Sequence, residues 1–180
     1  MVEGSPRLTE NCTHQYDDNA LQPADPSAVI PWADALPRLS AAQTYWFATA
    51  RTDGRPHIRP VLAVWVDGTM CTTSNPNAAK ARNLAADDNC ALATSTDGID
   101  FIVEGTAAHV TDHEVLERIA AAYHTKYEWP VTVIANSFDA PYGAPAAGPP
   151  PYRPFALTPR TVYGFGTDER YAPRSTRWRF

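Results

Sequence analysis

Cysteine is scarce in this chain and badly spaced for chemistry. Cys12, Cys71 and Cys90 are an odd set without a Cys-x-x-Cys pair, so neither a disulfide framework nor a thiolate metal knuckle is read from them. Cys71 and Cys90 fall in apolar, strand-like runs, where reduced, buried thiols are expected. Positive charge is also in deficit. Fifteen Lys and Arg against twenty Asp and Glu leave a formal net charge of −5, which argues against duplex nucleic acid or an anionic membrane as the main partner. No apolar stretch approaches the roughly 20 residues that a membrane helix needs. Met1 to Pro6 carry neither a basic cluster nor an apolar run, so no secretory signal is read there. A cytoplasmic protein is the expectation.

What the chain does have is 180 residues with 44% hydrophobic content, enough for one domain with a real core and hardly for two. Residues 1–34 are polar, contain proline and show no periodicity. They are read as an arm, disordered or lying over the surface, ahead of a domain spanning 35–180. From Tyr45 the pattern turns to strands. Tyr45 to Ala50 ends at Asp53-Gly54, a strong hairpin signal. The return strand is expected over Pro56 to Val66, and Asp67-Gly68 then turns the chain into Met70 to Ser74. A helix is expected to start at Asn75-Pro76, an N-cap followed by proline, and to stop at Asp87 to Asn89. Strands follow over Cys90–Thr94 and Asp100–Val110. Asp112–Tyr127 is the best helix, with Val115, Ile119, Ala122 and Tyr123 on one stripe. Six of the seventeen prolines stand within residues 136–154, a rigid loop of the kind used as a lid or partner arm. Two last strands are expected, Phe155–Leu157 and Thr161–Phe165, before a tail from Arg174 to Phe180. Six or seven short strands, two helices and tight turns describe a mainly β, antiparallel barrel.

Two segments carry candidate chemistry. Thr72 to Asn83 joins hydroxyls at a strand end, a helix N-terminus and two cations, Lys80 and Arg82. Each of these favours an anion. Cations in the first turns of a helix oppose its dipole, so Lys80 and Arg82 ask for a compensating anion; a merely solvated face is the competing reading. On the strand Pro56 to Val61, alternation puts His57, Arg59 and Val61 on one face and Ile58 and Pro60 on the other. Polar groups on such a strand suit either a ligand or an edge strand facing water. His109 and His113 straddle a strand-to-helix junction, and no metal site is assigned.

These pieces resemble the pyridoxamine 5′-phosphate oxidase-like, flavin/deazaflavin oxidoreductase superfamily. The resemblance is carried by Phe47 to His57, Arg59-Pro60-Val61, Thr73-Ser74 with Lys80 to Leu84, Val103 to Ala107 and the Arg-Trp-Arg-Phe ending. It runs from about Leu39 to Phe180 and leaves the N-terminal arm uncovered. It implies an FMN-binding-like split β-barrel, a homodimer with cofactor sites at the subunit interface. It also implies that His57, Arg59, Pro60 and Val61 line the ring of the cofactor and that Thr73, Ser74, Lys80, Arg82 and Asn83 hold its phosphate. Arg177 and Trp178, in the tail, are then expected to close the site from the partner subunit. The Ala-rich, Arg-preferring sequence is more similar to the branch that uses the deazaflavin coenzyme F-420, with FMN as the alternative. A reductase of a small conjugated substrate follows, with His57 and Arg59 as the candidates for a direct part in the chemistry. The rivals are an FMN-dependent oxidase-like enzyme and a protein that binds flavin, deazaflavin or haem without turnover.

Overall fold

A computed structural model of the protein describes residues 4–13, 26–143 and 148–180. The elements are β1 (Leu8–Asn11), α1 (Trp32–Ala41), β2 (Tyr45–Ala50), β3 (Pro56–Val61), β4 (Ala63–Val66), β5 (Thr69–Ser74), α2 (Ala79–Ala86), β6 (Asn89–Thr96), β7 (Ile99–His109), α3 (His113–Tyr127), β8 (Thr132–Ile134), β9 (Ser137–Asp139), β10 (Arg153–Gly166) and β11 (Thr176–Arg179). Nine strands form one antiparallel sheet, ordered β1-β11-β10-β7-β6-β2-β3, with β5 branching from β10 and β4 paired to β5. Among the described residues, β8 and β9 pair in a sheet of their own.

The Asp-Gly turns set the local geometry. Asp67 and Gly68 have φ of 48° and 77°, the double left-handed turn whose twist matches the strands of a two-residue hairpin. Between these turns the return strand is not continuous. It breaks at Leu62, so that β3 pairs with β2 while β4 pairs with β5. One chain segment thereby joins the two ends of a curled sheet, which is how the barrel is split.

The long strand β10 supplies the branch. Along one edge it pairs with β7 over nearly its whole length. Along the other, Arg153–Leu157 pairs with β5 and Thr161–Gly164 with β11. The two strands expected at this point are therefore one, with a register shift between Pro159 and Thr161. Proline has no N–H to give to a ladder, so it stands where pairing is interrupted.

Two cores result from strand alternation. Met70 faces the barrel interior with Phe47, Leu92, Phe101, Leu157 and Trp178. Its neighbour Cys71 faces the opposite way, into a second cluster with Val64, Leu116, Ile119 and Tyr123 of α3. The helix α3 thus covers the outer face of β4 and β5. Asp112 caps it by accepting a hydrogen bond from the Val115 N–H at 3.0 Å.

Three further expectations need correction. Part of the N-terminal arm is a sheet strand: β1 pairs residue for residue with β11. The helix α2 begins at Ala79, not at Asn75-Pro76. The Asn75 side chain accepts from the Asn77 N–H and its carbonyl accepts from the Ala78 N–H, so Asn75 to Ala78 close a turn of their own before the helix. The Pro-rich stretch is not loop throughout, since Phe138 and Tyr152 form a β-bridge across it; its residues 144–147 lie outside the described residues. Among the described residues no helix is long and apolar enough to cross a membrane.

Candidate functional site

The Asp53-Gly54 hairpin fixes the register of β2 against β3 and sets Thr49 directly opposite His57. Both are buried. The Thr49 hydroxyl lies 3.5 Å from His57 Nδ1 and accepts a hydrogen bond from Asn83 Nδ2 at 2.9 Å. Asn83 reaches it from α2, whose Ala81 and Leu84 pack into the barrel core and so turn that face of the helix onto β2. Ser74 is buried at the end of β5, with its hydroxyl donating to the Asn75 carbonyl at 3.0 Å.

Around this polar floor stand cations. Burial first, and then Arg59, Arg51 and Lys80, hold the His57 imidazole below its ordinary pKa. Burial and the charge of Arg59 likewise depress the Lys80 ammonium. Arg59 Nη1 donates to the Ile58 carbonyl at 2.7 Å, and Arg82 donates to the Asn77 carbonyl. None of Arg51, Arg59, Lys80 and Arg82 forms an ion pair with an acidic side chain among the described residues. The first turn of α2 adds N–H groups with no side-chain cap, because Ala78 occupies the N-cap. Like charges gathered at one place repel. An anion would relieve that repulsion and take charge-assisted hydrogen bonds from the same groups.

The structure thus brings together His57, Arg59, Lys80 and Asn83, with Arg82 on the same helix and Ser74 at the end of the strand that leads into it, and sets the other expected site residues elsewhere. Thr73 alternates with Ser74 along β5 and shares the face of Cys71, which packs toward Tyr123 of α3. Pro60 lies on the outer sheet face opposite Trp46, away from His57, as alternation requires. Val61 is part of the barrel core and gives the site a wall rather than a contact. The clearest correction concerns the tail. Trp178 is packed inside the barrel against Trp32 and Phe101, at centroid distances of 5.4 and 6.4 Å. Arg177 is buried in an ion pair with Glu10. The tail is an inner strand between β1 and β10, so neither side chain is available to close a site. His109 contacts the Asn136 carbonyl, while His113 lies 3.9 Å from Glu117. Among the described residues no three His, Cys, Asp or Glu side chains could hold a metal.

Two members of the site escape a reading of motifs, Thr49 and Arg51. The signal for Thr49 was present in the hairpin: with Asp53-Gly54 as the turn, counting back places it opposite His57. Arg51 carries no comparable signal, because its charge reaches His57 only through the fold.

Residues 33–166 match the family described as pyridoxamine 5′-phosphate oxidase. No curated protein matches the chain. A conserved hypothetical protein from Mycobacterium tuberculosis has a similar structure, with TM-score 0.60 and 19% identity over 82% of this chain and 90% of the other. An FAD-binding protein from Mesorhizobium loti follows at 0.54, with 17% identity over 82% and 94% of the two chains. A pyridoxamine 5′-phosphate oxidase-related, FMN-binding protein from Nostoc punctiforme has TM-score 0.51 and 18% identity over 77% and 86%. At such identities these likenesses establish the split-barrel fold, and function has to be argued from the site.

Proposed function

Because the chain belongs to the pyridoxamine 5′-phosphate oxidase family, we propose that it binds a phosphate-bearing flavin or deazaflavin beside β3 and the start of α2, and acts as an oxidoreductase on a small conjugated substrate. One observation carries this reading: Arg59, Arg51 and Lys80 all act on the buried His57, and none of the three forms an ion pair with an acidic side chain among the described residues, in a chain whose net charge is −5. The residues fit an anionic cofactor. Lys80, Arg82, Asn83, Ser74 and the first N–H groups of α2 would hold its phosphate, and the β3 face with His57 and Arg59 would flank its ring. The bound ring would supply hydride transfer. The protein would supply orientation, charge and exclusion of water.

The deazaflavin F-420 is the first choice of ring and FMN the second. The three cations at His57, with Arg82 on the same helix as Lys80, exceed what one phosphate monoester, at about −1.5 to −2 near neutral pH, requires, so a cofactor with further anionic groups is favoured. The FMN- and FAD-binding neighbours keep the flavins in view. We also propose a homodimer in the cytoplasm. The outer face of the sheet exposes Trp46 and Ile58 at 53% and 50%, next to Pro60 and Ala48 on the paired strands. Large apolar side chains grouped in this way mark a surface that a partner covers.

The test begins with the spectrum of the purified protein, followed by titration with FMN and with F-420. Reduced cofactor is then mixed with a quinone or enone. Submicromolar binding and acceptor-dependent oxidation are expected. Tight binding without oxidation would leave a cofactor-binding protein, and a haem spectrum would replace the ring. Binding of both rings weaker than micromolar would end the proposal.

A further inference from the structure

His57 is 5% exposed and is faced by cations and neutral groups only. Arg59 acts on it from its own strand, Arg51 from the end of β2 and Lys80 from α2. Thr49 stands opposite it and Asn83 lies behind Thr49. Cys90 pairs with Thr49 from β6, and burial pushes its thiol up to about 12, so it is neutral as well. Asp87 and Asp88 act on Cys90 from the far end of α2 and are exposed. Burial and these charges therefore favour the neutral imidazole in the free protein.

The hydrogen bonds behind it bear on its tautomer. The Thr49 oxygen accepts from Asn83 Nδ2 at 2.9 Å and lies 3.5 Å from His57 Nδ1, so the Thr49 O–H is in a position to donate to that nitrogen. Where Thr49 donates, Nδ1 accepts and the proton sits on Nε2. Nε2 makes no hydrogen bond to a described residue, and it is not among the fully enclosed unpaired atoms. The charges that act on this ring are those of Arg59, Arg51 and Lys80.

We propose that the Asn83–Thr49–His57 chain presents Nε2–H as a neutral donor to the bound anion, and that the anion, by offsetting the three cations, makes His57 take up one proton from solvent on binding. This rests on the reading that an anionic cofactor occupies the cation cluster, and it adds that binding is linked to pH through one residue. The sign follows from linkage. The complex binds more protons than the free protein, so affinity rises as pH falls through the bound-state pKa of His57, and levels off below its free-state pKa. An anion a few ångströms from a titrating group moves its pKa by about 1–3 units, so a gain in affinity of about tenfold or more is expected over the whole titration, complete once the pH is below the free-state pKa.

The experiment uses the whole chain with FMN as probe and riboflavin as the phosphate-free control. Imidazole nitrogen NMR follows His57, identified by the signal lost in His57→Gln. Without FMN a neutral Nε2–H tautomer is expected, and with FMN a pKa higher by at least one unit; riboflavin is expected to leave it unmoved. The FMN phosphate itself titrates near pH 6. Calorimetric affinities are therefore compared between the wild type and His57→Gln, so that the phosphate contribution cancels. Thr49→Val should release the tautomer without abolishing binding. FMN binding with an unmoved His57 pKa, or an Nδ1–H tautomer in the free protein, overturns the inference while leaving the anion site standing. Failure of both FMN and F-420 to bind overturns the anion site itself.

Discussion

Arg177 Nε lies 2.9 Å from Glu10 Oε2, an ion pair between the two ends of the chain with 1% and 0% of the side chains exposed. Arg179 adds a second cation to the same oxygen at 3.2 Å. A lone buried charge is costly, whereas a paired one is tolerated. Glu10→Ala should cost about 3–5 kcal/mol in denaturant unfolding, because Arg177 stays buried without its carboxylate. Glu10→Met with Arg177→Met should recover most of that loss. A single-mutant effect below about 1 kcal/mol would show that β1 is not held this way. Removal of residues after Arg174 is expected to unfold the protein rather than to impair a site selectively.

Gly105 sits on β7 where β10 is irregular. A Cβ there would meet the Thr158 carbonyl oxygen at 2.0 Å, and backbone cannot move aside as a side chain can. Gly105→Ala should destabilise by about 3 kcal/mol or more. Gly54 provides the contrast: its φ is +82°, and nothing lies within 4 Å of an added Cβ. Gly54→Ala should cost only the left-handed backbone strain, about 1 kcal/mol. Thermal melts of the two variants should therefore differ clearly.

Lys126 donates to the Tyr45 hydroxyl at 2.9 Å and to the Ala63 carbonyl at 2.8 Å, between the rings of Tyr45 and Tyr127. Burial lowers its pKa from 10.5 to about 8. Between pH 8 and 10 the unfolded chain holds this proton more tightly than the folded one, so stability gains a rising contribution there. The advantage of wild type over Lys126→Met should grow from pH 8 to pH 10. Unfolding free energies measured across that range check it, and a difference independent of pH would contradict the lowered pKa.

Trp46→Glu with Ile58→Glu places charge on the exposed outer face of β2 and β3. If this face joins two subunits, sedimentation should show a monomer for the variant and a dimer for the wild type. The change should leave the melting temperature of the isolated chain almost unaltered, since neither side chain is in the core.

Much of the fold was legible because its signals are local. Asp53-Gly54, Asp67-Gly68 and the stripe of α3 act over a few residues, and the structure has the hairpins and the helix where they were read. The candidate anion site was legible in kind for the same reason, since Lys80, Arg82 and Asn83 lie close together on one short helix. What escaped depends on partners far away in sequence. The strand β1 has four residues and no apolar alternation. It is set by pairing with a strand 165 to 171 positions on and by the buried carboxylate of Glu10. The tail reads as an exposed, basic ending, yet β10 and β1 enclose it from both sides and draw Trp178 into the core. The sequence by itself determined the turns, the strand faces and the presence of cations in need of an anion, because these follow from backbone preference and residue type. Only the tertiary structure decided that His57, Thr49 and Asn83 form one chain and that Arg177 and Trp178 belong to the interior, because pairing across the sheet, and not spacing along the chain, sets those distances.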